Sequence, residues 1–352
     1  MIFWRGMCAG LLALGLMCAT PAAAVPKFSG DFSHRFWVKT ETENSAGKVS
    51  TRRVSAERFR FMFEDKLKHA EWRFRIGMID PTRSTGSIIS LGREGDTVLG
   101  PHHFQVIDCY WQWNLEDGWK VRLGRTGIPF FRYRSELVFD NDIFWDGLYV
   151  EKTLPWATKA KTSAHAGAFT IKRKIHGEGD KLFVFGAMGQ PKWGKVQAEW
   201  RVDRFQFDID SKGWANTFAP SYRLVNLYGA MEWPSQVRVT ADWSRNLAAN
   251  APVSMHSGGD AYNLTVLLGK MPRDFTSQLI YQYFKVGPHA VPGSMVWYDK
   301  RVNIEGSAIV YKFRVSRRTE IELDFYNFRR FEAGFATDRK YLRWETQLNH
   351  RF

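Results

Sequence analysis

Charged side chains at alternate positions are the residues of this chain whose chemistry can be interpreted most directly. Six arginines either stand two residues apart or lie between two apolar neighbours: Arg58, Arg60, Arg73, Arg75, Arg122 and Arg238. Four carboxylates lie in or next to the segment 126–145: Glu136, Asp140, Asp142 and Asp146. Guanidinium and carboxylate groups in two separate sets create an electric field between them, and this chemistry suits the selection of solutes better than bond cleavage.

The elements that carry these charges are predicted to be strands. In the segment 71–78 the polar residues Glu71, Arg73 and Arg75 alternate with Trp72 and Phe74, and the segments 119–124 and 236–244 alternate in the same way. Period-2 alternation is typical of a strand with one apolar and one wet face. The final residues, 341–352, alternate without a break and end on Phe352.

About sixteen segments have the length of tilted membrane strands. They are 28–39, 58–65, 71–78, 105–115, 119–125, 147–151, 163–172, 181–189, 196–210, 223–233, 236–243, 262–268, 275–283, 302–313, 319–328 and 341–352. The phase of the alternation changes near Asp203 and Arg204, where Val202 gives way to Phe205 and Phe207, and this change predicts a β-bulge.

The connections between these segments alternate between tight turns and long loops. Tight turns include 68–70, 116–118 and 233–235, whereas 80–104, 126–145 and 285–301 are long and rich in Gly, Pro, Ser and charge. Short turns at one end and long loops at the other are typical of outer-membrane barrels. A soluble periplasmic β protein also has half-buried alternating strands, but it has no reason to segregate its loops in this way.

The first residues predict export. Arg5 precedes an apolar run and the sequence Pro21 to Ala24, so residues 1–24 read as a cleaved signal peptide. The remaining residues, 25–352, contain no apolar stretch long enough for a membrane helix. Aromatic residues make up 15% of the chain and charged residues 24%, a combination that only alternate exposure to lipid explains in a membrane protein. The sequence therefore predicts an all-β, transmembrane, antiparallel up-and-down β-barrel of about sixteen strands in the bacterial outer membrane.

A barrel of this size encloses an aqueous channel unless something fills it. The loop 126–145 is long enough to fold inward as a constriction and to present its carboxylates opposite the arginines, which would then line the pore. Such a transverse field aligns polar solutes. A salt bridge that only stabilises the barrel wall is an equally good interpretation of each single arginine.

The sequence between residues 124 and 148 resembles a motif of bacterial outer-membrane β-barrel porins. The resemblance rests on Gly124 to Phe130, on Leu137 to Asp142 and on Asp146 to Leu148. It implies a channel protein, and it implies that Phe352 and its alternate partners form the signal read by the barrel-assembly machinery. Asp146 stands where Glu is more usual in the family, and the N-terminal coiled-coil segment of many members is missing.

The formal net charge of +14 predicts a preference for small hydrophilic anions. Binding of nucleic acid is not expected, because the basic residues are spread along strands and do not form one patch. Some of the excess charge could instead contact outer-membrane lipid, including lipopolysaccharide phosphates. Whether the barrel is a homotrimer stays open.

An outer-membrane barrel can also be a lipid hydrolase, or an adhesin or scaffold. Cys109 is the sole cysteine after residue 24 and the nine histidines are scattered, so no metal or cofactor is expected and the chain is not predicted to be an enzyme. A lipid hydrolase would need Ser277 or Ser307 beside His34 or His350 on neighbouring strands. An adhesin or scaffold barrel without transport would need larger outer loops.

Overall fold

The computed structural model describes residues 26–43, 48–79, 89–93, 103–127, 145–155, 160–171, 180–208, 222–248, 259–270, 275–287, 290–291, 303–330 and 339–352. The predicted signal peptide, 1–24, and most of the predicted constriction loop, 128–144, lie outside these residues.

Sixteen long strands make up most of the described chain. They are β1 (Lys27–Glu43), β2 (Lys48–Lys66), β3 (Ala70–Ile79), β4 (His103–Asn114), β5 (Trp119–Thr126), β6 (Trp145–Thr153), β7 (Ser163–Ile171), β8 (Asp180–Gly189), β9 (Val196–Asp208), β10 (Tyr222–Glu232), β11 (Val237–Asn246), β12 (Asp260–Leu268), β13 (Ser277–Val286), β14 (Ile304–Arg314), β15 (Thr319–Arg330) and β16 (Arg339–Arg351). Each one overlaps a segment predicted from alternation, which confirms the predicted fold class.

The sheet is antiparallel throughout and closes on itself. Each long strand pairs with the next in the chain, and β16 pairs with β1 over a register that runs from Asp31 opposite Arg351 to Glu43 opposite Arg339. Two short strands extend the sheet locally: Ile89–Arg93 pairs with β2, and Lys192–Trp193 pairs with the start of β9. Within the described part of the chain, no helix has the length and apolar character needed to cross a membrane.

The two faces of the barrel wall differ as the alternation predicts. On β16, Leu342 and Trp344 point outward with 46% and 50% of their surface exposed, whereas the inward Glu345 is 2% exposed. The outward row of β5 carries Trp119 and Leu123, both exposed. Lipid chains are the solvent that makes a continuous apolar outer surface favourable.

The two ends of the barrel also differ. Both described chain ends lie at the end where neighbouring strands are joined by tight turns, and we call this the short-turn end. At one such turn, between β4 and β5, Asp117 and Gly118 take positive φ values of 57° and 77°. The opposite end, where the longer connections lie, is called the long-loop end.

The predicted bulge at Asp203 and Arg204 is wrong. β9 pairs in continuous register with both β8 and β10, so Phe205 and Phe207 stay on the same inward row as Asp203. The inward residues of β9 are charged up to Asp203 and apolar from Phe205 towards the long-loop end. The register shift lies instead between β3 and β4, where the buried Ile107 is the extra residue.

Phe352 covers one end of the seam between β1 and β16. Gly30 and Phe352 exchange backbone hydrogen bonds, each N–H donating to the other's carbonyl oxygen at 3.1 Å. The ring of Phe352 lies directly over Gly30, where any Cβ would overlap it. Phe61 on β2 meets the same ring edge-on, with 5.9 Å between centroids.

Candidate functional site

The inner face of β1 to β5 carries a continuous series of ion pairs. We call this surface the paired wall. Arg60 donates from Nε to Asp31 at 2.9 Å, and Arg58 lies 3.6 Å from the same carboxylate. The wall consists of Asp31, Arg58, Arg60, Glu64, Glu71, Arg73, Arg75, Asp108, Tyr110 and Arg122.

The other arginines of the paired wall are held in the same way. Arg73 pairs with Glu64 at 2.9 Å and Arg75 pairs with Asp108. Because neighbouring strands place these residues side by side on the inward row, each guanidinium meets a carboxylate across the strand. The positive charge of this wall is therefore largely compensated.

Tyr110 fixes two of these guanidinium groups. Arg122 lies 4.1 Å and Arg73 5.7 Å from the centroid of its ring, which are distances for cation–π attraction. Arg122 also donates from Nε to Gln112 at 3.0 Å, and its Nη2 lies 3.5 Å from Glu71. Both arginines are therefore held close to the wall.

Water reaches part of the paired wall. The side chains of Arg73, Asp31 and Glu64 are 34%, 25% and 18% exposed, although all three point into the barrel. A solute inside the barrel can therefore contact these groups.

A second set of inward charges, on β7 to β10, is closed to water. We call it the buried network, and it consists of His165, Glu199, Arg201, Asp203 and Tyr228. His165 Nε2 and Asp203 Oδ1 are 2.9 Å apart, and Arg201 Nε is 3.6 Å from Glu199. The guanidinium of Arg201 lies 4.0 Å from the centroid of the Tyr228 ring. The side chains of His165, Arg201 and Asp203 are all 0% exposed.

The buried network was not predicted. Its signal is present in the sequence, since Glu199, Arg201 and Asp203 alternate with the outward Trp200 and Val202. Alternation identifies the inner face but does not show whether water reaches it.

Apolar residues fill the inner face towards the long-loop end from β6 to β16. We call this set the inner apolar cluster: Trp145, Tyr149, Phe169, Leu182, Val184, Phe205, Phe207, Tyr222, Leu224, Ala261, Phe284, Val286, Ala290, Val291, Ile304, Ala308, Tyr326, Phe328 and Tyr341. Ala290 and Val291 belong to the connection after β13, and both are fully buried. The interior beside these strands is thus packed like a protein core.

The six arginines predicted to line a pore all lie on the inward row. Five of them belong to the paired wall. Arg238 lies on β11 between the outward Val237 and Val239, and its cross-strand neighbour on β10 is Glu232. The structure therefore brings five of the predicted arginines together and places Arg238 on a different part of the wall.

Of the four acidic residues predicted for the constriction, the structure describes only Asp146. Glu136, Asp140 and Asp142 lie outside the described residues. Asp146 lies on β6, in the outward row with the exposed Leu148, and its carboxylate is 3.9 Å from Arg125. This position does not favour a role for Asp146 in the constriction.

The residues considered for lipid hydrolysis do not come together. Ser277 and Ser307 lie on β13 and β14, whereas His34 and His350 lie on β1 and β16, so no such pair occupies neighbouring strands. His350 is instead hydrogen bonded through Nδ1 to the hydroxyl of Thr319 at 3.0 Å. Among the described residues there is also no group of three or more His, Cys, Asp or Glu that could hold a metal ion.

Comparison with known proteins identifies the fold. The chain matches OprB of Pseudomonas putida with a TM-score of 0.61 and 13% identity, covering 93% of this chain and 94% of that one. It matches Salmonella typhi OmpF, solved with daunomycin, with a TM-score of 0.57 and 9% identity over 93% and 97% of the two chains. A mutant porin of Rh. blastica gives 0.50 at 10% identity, over 93% of this chain and 100% of that one.

These neighbours are bacterial outer-membrane porins, which are channels and not enzymes, and this chain has their barrel fold. No protein-family description and no curated protein matches the chain.

Proposed function

We propose that this protein forms a water-filled channel in the bacterial outer membrane, through which small hydrophilic solutes diffuse. The observation that carries the proposal is the partial exposure of the paired wall inside a closed barrel whose outer surface is apolar. Water reaches Arg73 and Asp31, but not Arg201 or His165. The proposal therefore places the solute path along the inner face of β1 to β5 and away from the buried network on β7 to β10.

Placement in a membrane is supported by the outward row. Large apolar side chains such as Phe185, Trp344 and Leu342 are about half exposed on this surface. Each such side chain would gain about 1.5–3 kcal/mol by leaving water for hydrocarbon. The proposal includes removal of the predicted signal peptide 1–24 and recognition of Phe352 by the barrel-assembly machinery.

Single-channel recording tests the proposal. Protein refolded in detergent and added to a planar lipid bilayer should give stepwise, ohmic conductance. A deletion of the assembly residue Phe352 serves as a control, because barrels that fail to close should give no steps. Folded wild-type barrels that insert without conductance would contradict the proposal and would favour a scaffold.

We further propose that the channel prefers anions only modestly. The net charge of +14 favours anions, but the arginines along the proposed path are paired with Asp31, Glu64, Glu71 and Asp108. Some basic side chains lie on the outward row and away from the proposed path, for example Arg204, Arg223 and Arg245. Reversal potentials in a salt gradient measure the preference, and a cation-selective channel would contradict the prediction.

The predicted constriction remains part of the proposal. Glu136, Asp140 and Asp142 belong to the segment that connects β5 to β6, and β5 itself carries Arg122 of the paired wall. Carboxylates that reach the solute path from this connection would face arginines across a short distance and would limit the excess of anions.

A further inference from the structure

The fourth strand, β4, changes face partway along its length. Val106 pairs with Ile76 and points outward, with 39% of its surface exposed. Asp108 pairs with Arg75 and points into the barrel, where it is 2% exposed. In a regular strand, two residues at this spacing share a face. Ile107 is the extra residue between them, so the bulge is what places Asp108 inside the barrel.

The carboxylate of Asp108 compensates a cation of the paired wall. Arg75 donates from Nη2 to Oδ2 of Asp108, and the side chain of Arg75 is 16% exposed. Without the extra residue Ile107, Asp108 would fall on the outward row and Arg75 would lose this compensation. The bulge therefore lowers the positive charge of the wall along which the solute path is proposed to run.

Two neighbouring strands hold the bulge. On β3, Gly77 leaves room for the side chain of Ile107, whose Cδ1 would lie 2.6 Å from a Cβ at position 77. On β5, Arg125 donates from Nε to the carbonyl oxygen of Ile107 at 3.0 Å. A bulged residue is left out of the ladder between strands, and a side-chain donor such as Arg125 can satisfy its backbone in place of a ladder partner.

The residue before Arg125 also fits closely against β4. Gly124 has a φ of 122°, and a Cβ there would lie 2.3 Å from the carbonyl oxygen of Cys109. Gly124 and Arg125 are the first two residues of the segment that resembles porins, Gly124 to Phe130. Both of them contact the part of β4 that follows the change of face, which gives this motif a physical role in the barrel wall.

We propose that Asp108 is a specificity-determining residue of the channel and that Arg125 is its positioning residue, which acts through the bulge at Ile107. The inference rests on the proposed channel function and extends it. Arg125 lies on the outward row and contacts no solute, yet it determines whether Arg75 is compensated. Asp146 lies 3.9 Å from Arg125, too far for a hydrogen bond, so we assign it no share in holding the bulge.

Reversal potentials in a salt gradient test the role of Asp108. Asp108→Asn leaves the positive charge of Arg75 uncompensated. The variant should raise the ratio of anion to cation permeability by up to about fivefold, which is the effect of one unit charge at contact distance in water. Conducting Asp108→Asn channels with the reversal potential of the wild type would overturn the inference.

The sign of the shift tests the role of Arg125. Removing its positive charge would by itself move the reversal potential towards cation preference. Arg125→Gln should instead move it towards anion preference, because Asp108 is then no longer held at Arg75. Arg125→Lys keeps the charge and a donor and should restore the wild-type value. A shift of Arg125→Gln towards cations, or no shift, would overturn the positioning role, and so would an Arg125→Lys variant that behaves like Arg125→Gln.

A double variant tests whether the two residues act through one path. Asp108→Asn combined with Arg125→Gln should shift the potential no further towards anions than Asp108→Asn alone, because no carboxylate is left to position. Additive shifts would overturn the coupling. Arg204→Gln on β9 removes an exposed outward arginine elsewhere and serves as the matched control. A shift towards anions in this control as large as that of Arg125→Gln would also overturn it.

A variant that changes no charge covers a failure to fold. If Arg125→Gln gives no folded barrel, Ile107→Ala takes its place, because it loosens the contact over Gly77. The reversal potential of Ile107→Ala should also shift towards anions, and an unchanged value would overturn the inference. Failure of the channel itself is distinguishable, since wild-type barrels without conductance would overturn the proposed function together with this inference.

Discussion

The paired wall and the buried network have the same components but different surroundings. Both consist of arginines and carboxylates on alternate inward positions, with a tyrosine ring against a guanidinium. Arg73 is 34% exposed, whereas Arg201 is 0% exposed. An ion pair reached by water contributes little to stability and remains available to solutes, whereas a buried pair is costly to break and unavailable. The two sets contain the same residue types, so the exposure of a charged side chain to water determines whether a solute can contact it.

The largest expected effect is on stability. Arg201→Met leaves Glu199 buried without its cation, and we expect a loss of about 3–5 kcal/mol in the free energy of unfolding. Arg73→Met, the matched change in the paired wall, should cost about 1 kcal/mol or less. Urea titration of the refolded proteins, followed by tryptophan fluorescence, measures both. Equal losses would show that the two regions do not differ in access to water.

The inner apolar cluster allows a second test on neighbouring strands. Phe205 is fully buried on the inner face of β9, and Phe185 is 51% exposed on the outer face of β8. Phe205→Ala should cost about 3–5 kcal/mol, because it removes contacts and leaves a cavity. Phe185→Ala should cost less, since mobile lipid fills the space. The same urea titration compares them, and an outward variant as damaging as the inward one would argue against a packed interior.

Ion selectivity tests whether the charges of the paired wall lie along the solute path. Replacing Arg60 and Arg73 by Gln leaves Asp31 and Glu64 beside the solute path, so the reversal potential should shift towards cation preference. Lys312→Gln offers a control, because its pair with Glu322 lies on β14 and β15 and away from the paired wall. A shift of the same size in both variants would mean that the solute path is not confined to β1 to β5.

The smallest effect is expected from the predicted constriction. Asp140→Asn and Asp142→Asn together should make the channel slightly more selective for anions, because they would remove the negative charge that the proposed constriction presents to the arginines. Asp146→Asn should have no such effect, since Asp146 lies in the outward row beside Arg125. Reversal potentials measure all three substitutions, and a response limited to Asp146→Asn would show that the assignment of its face is wrong.

The sequence predicted the wall of the barrel better than its contents. All sixteen strands follow from alternation, because a strand that separates lipid from the barrel interior must have two different faces. The inner apolar cluster could not be predicted in this way, since alternation does not show what solvates a face. The apolar residues Phe205 and Phe207 therefore led to the prediction of a bulge. In the structure β9 continues regularly, and both side chains join the inner apolar cluster.

For the predicted pore residues, too, alternation indicates the face of the wall but not the neighbouring side chains. The six arginines predicted to line a pore lie on the inner face, but their partners were not foreseen, because the pairing of Arg75 with Asp108 depends on which strands become neighbours. The real bulge at Ile107 was also missed. It interrupts an otherwise regular segment by a single residue, and Gly77 on the neighbouring strand provides the room for its side chain.

The seam at Gly30 and Phe352 has a consequence for how the barrel opens and forms. Every other boundary between neighbouring long strands is tied by a covalent connection at one end, but β1 and β16 are joined by hydrogen bonds and packing alone. Unrolling of the cylinder is therefore expected to begin there. In the reverse direction, the cylinder forms only when β16 pairs with β1, and that pairing places Phe352 over Gly30.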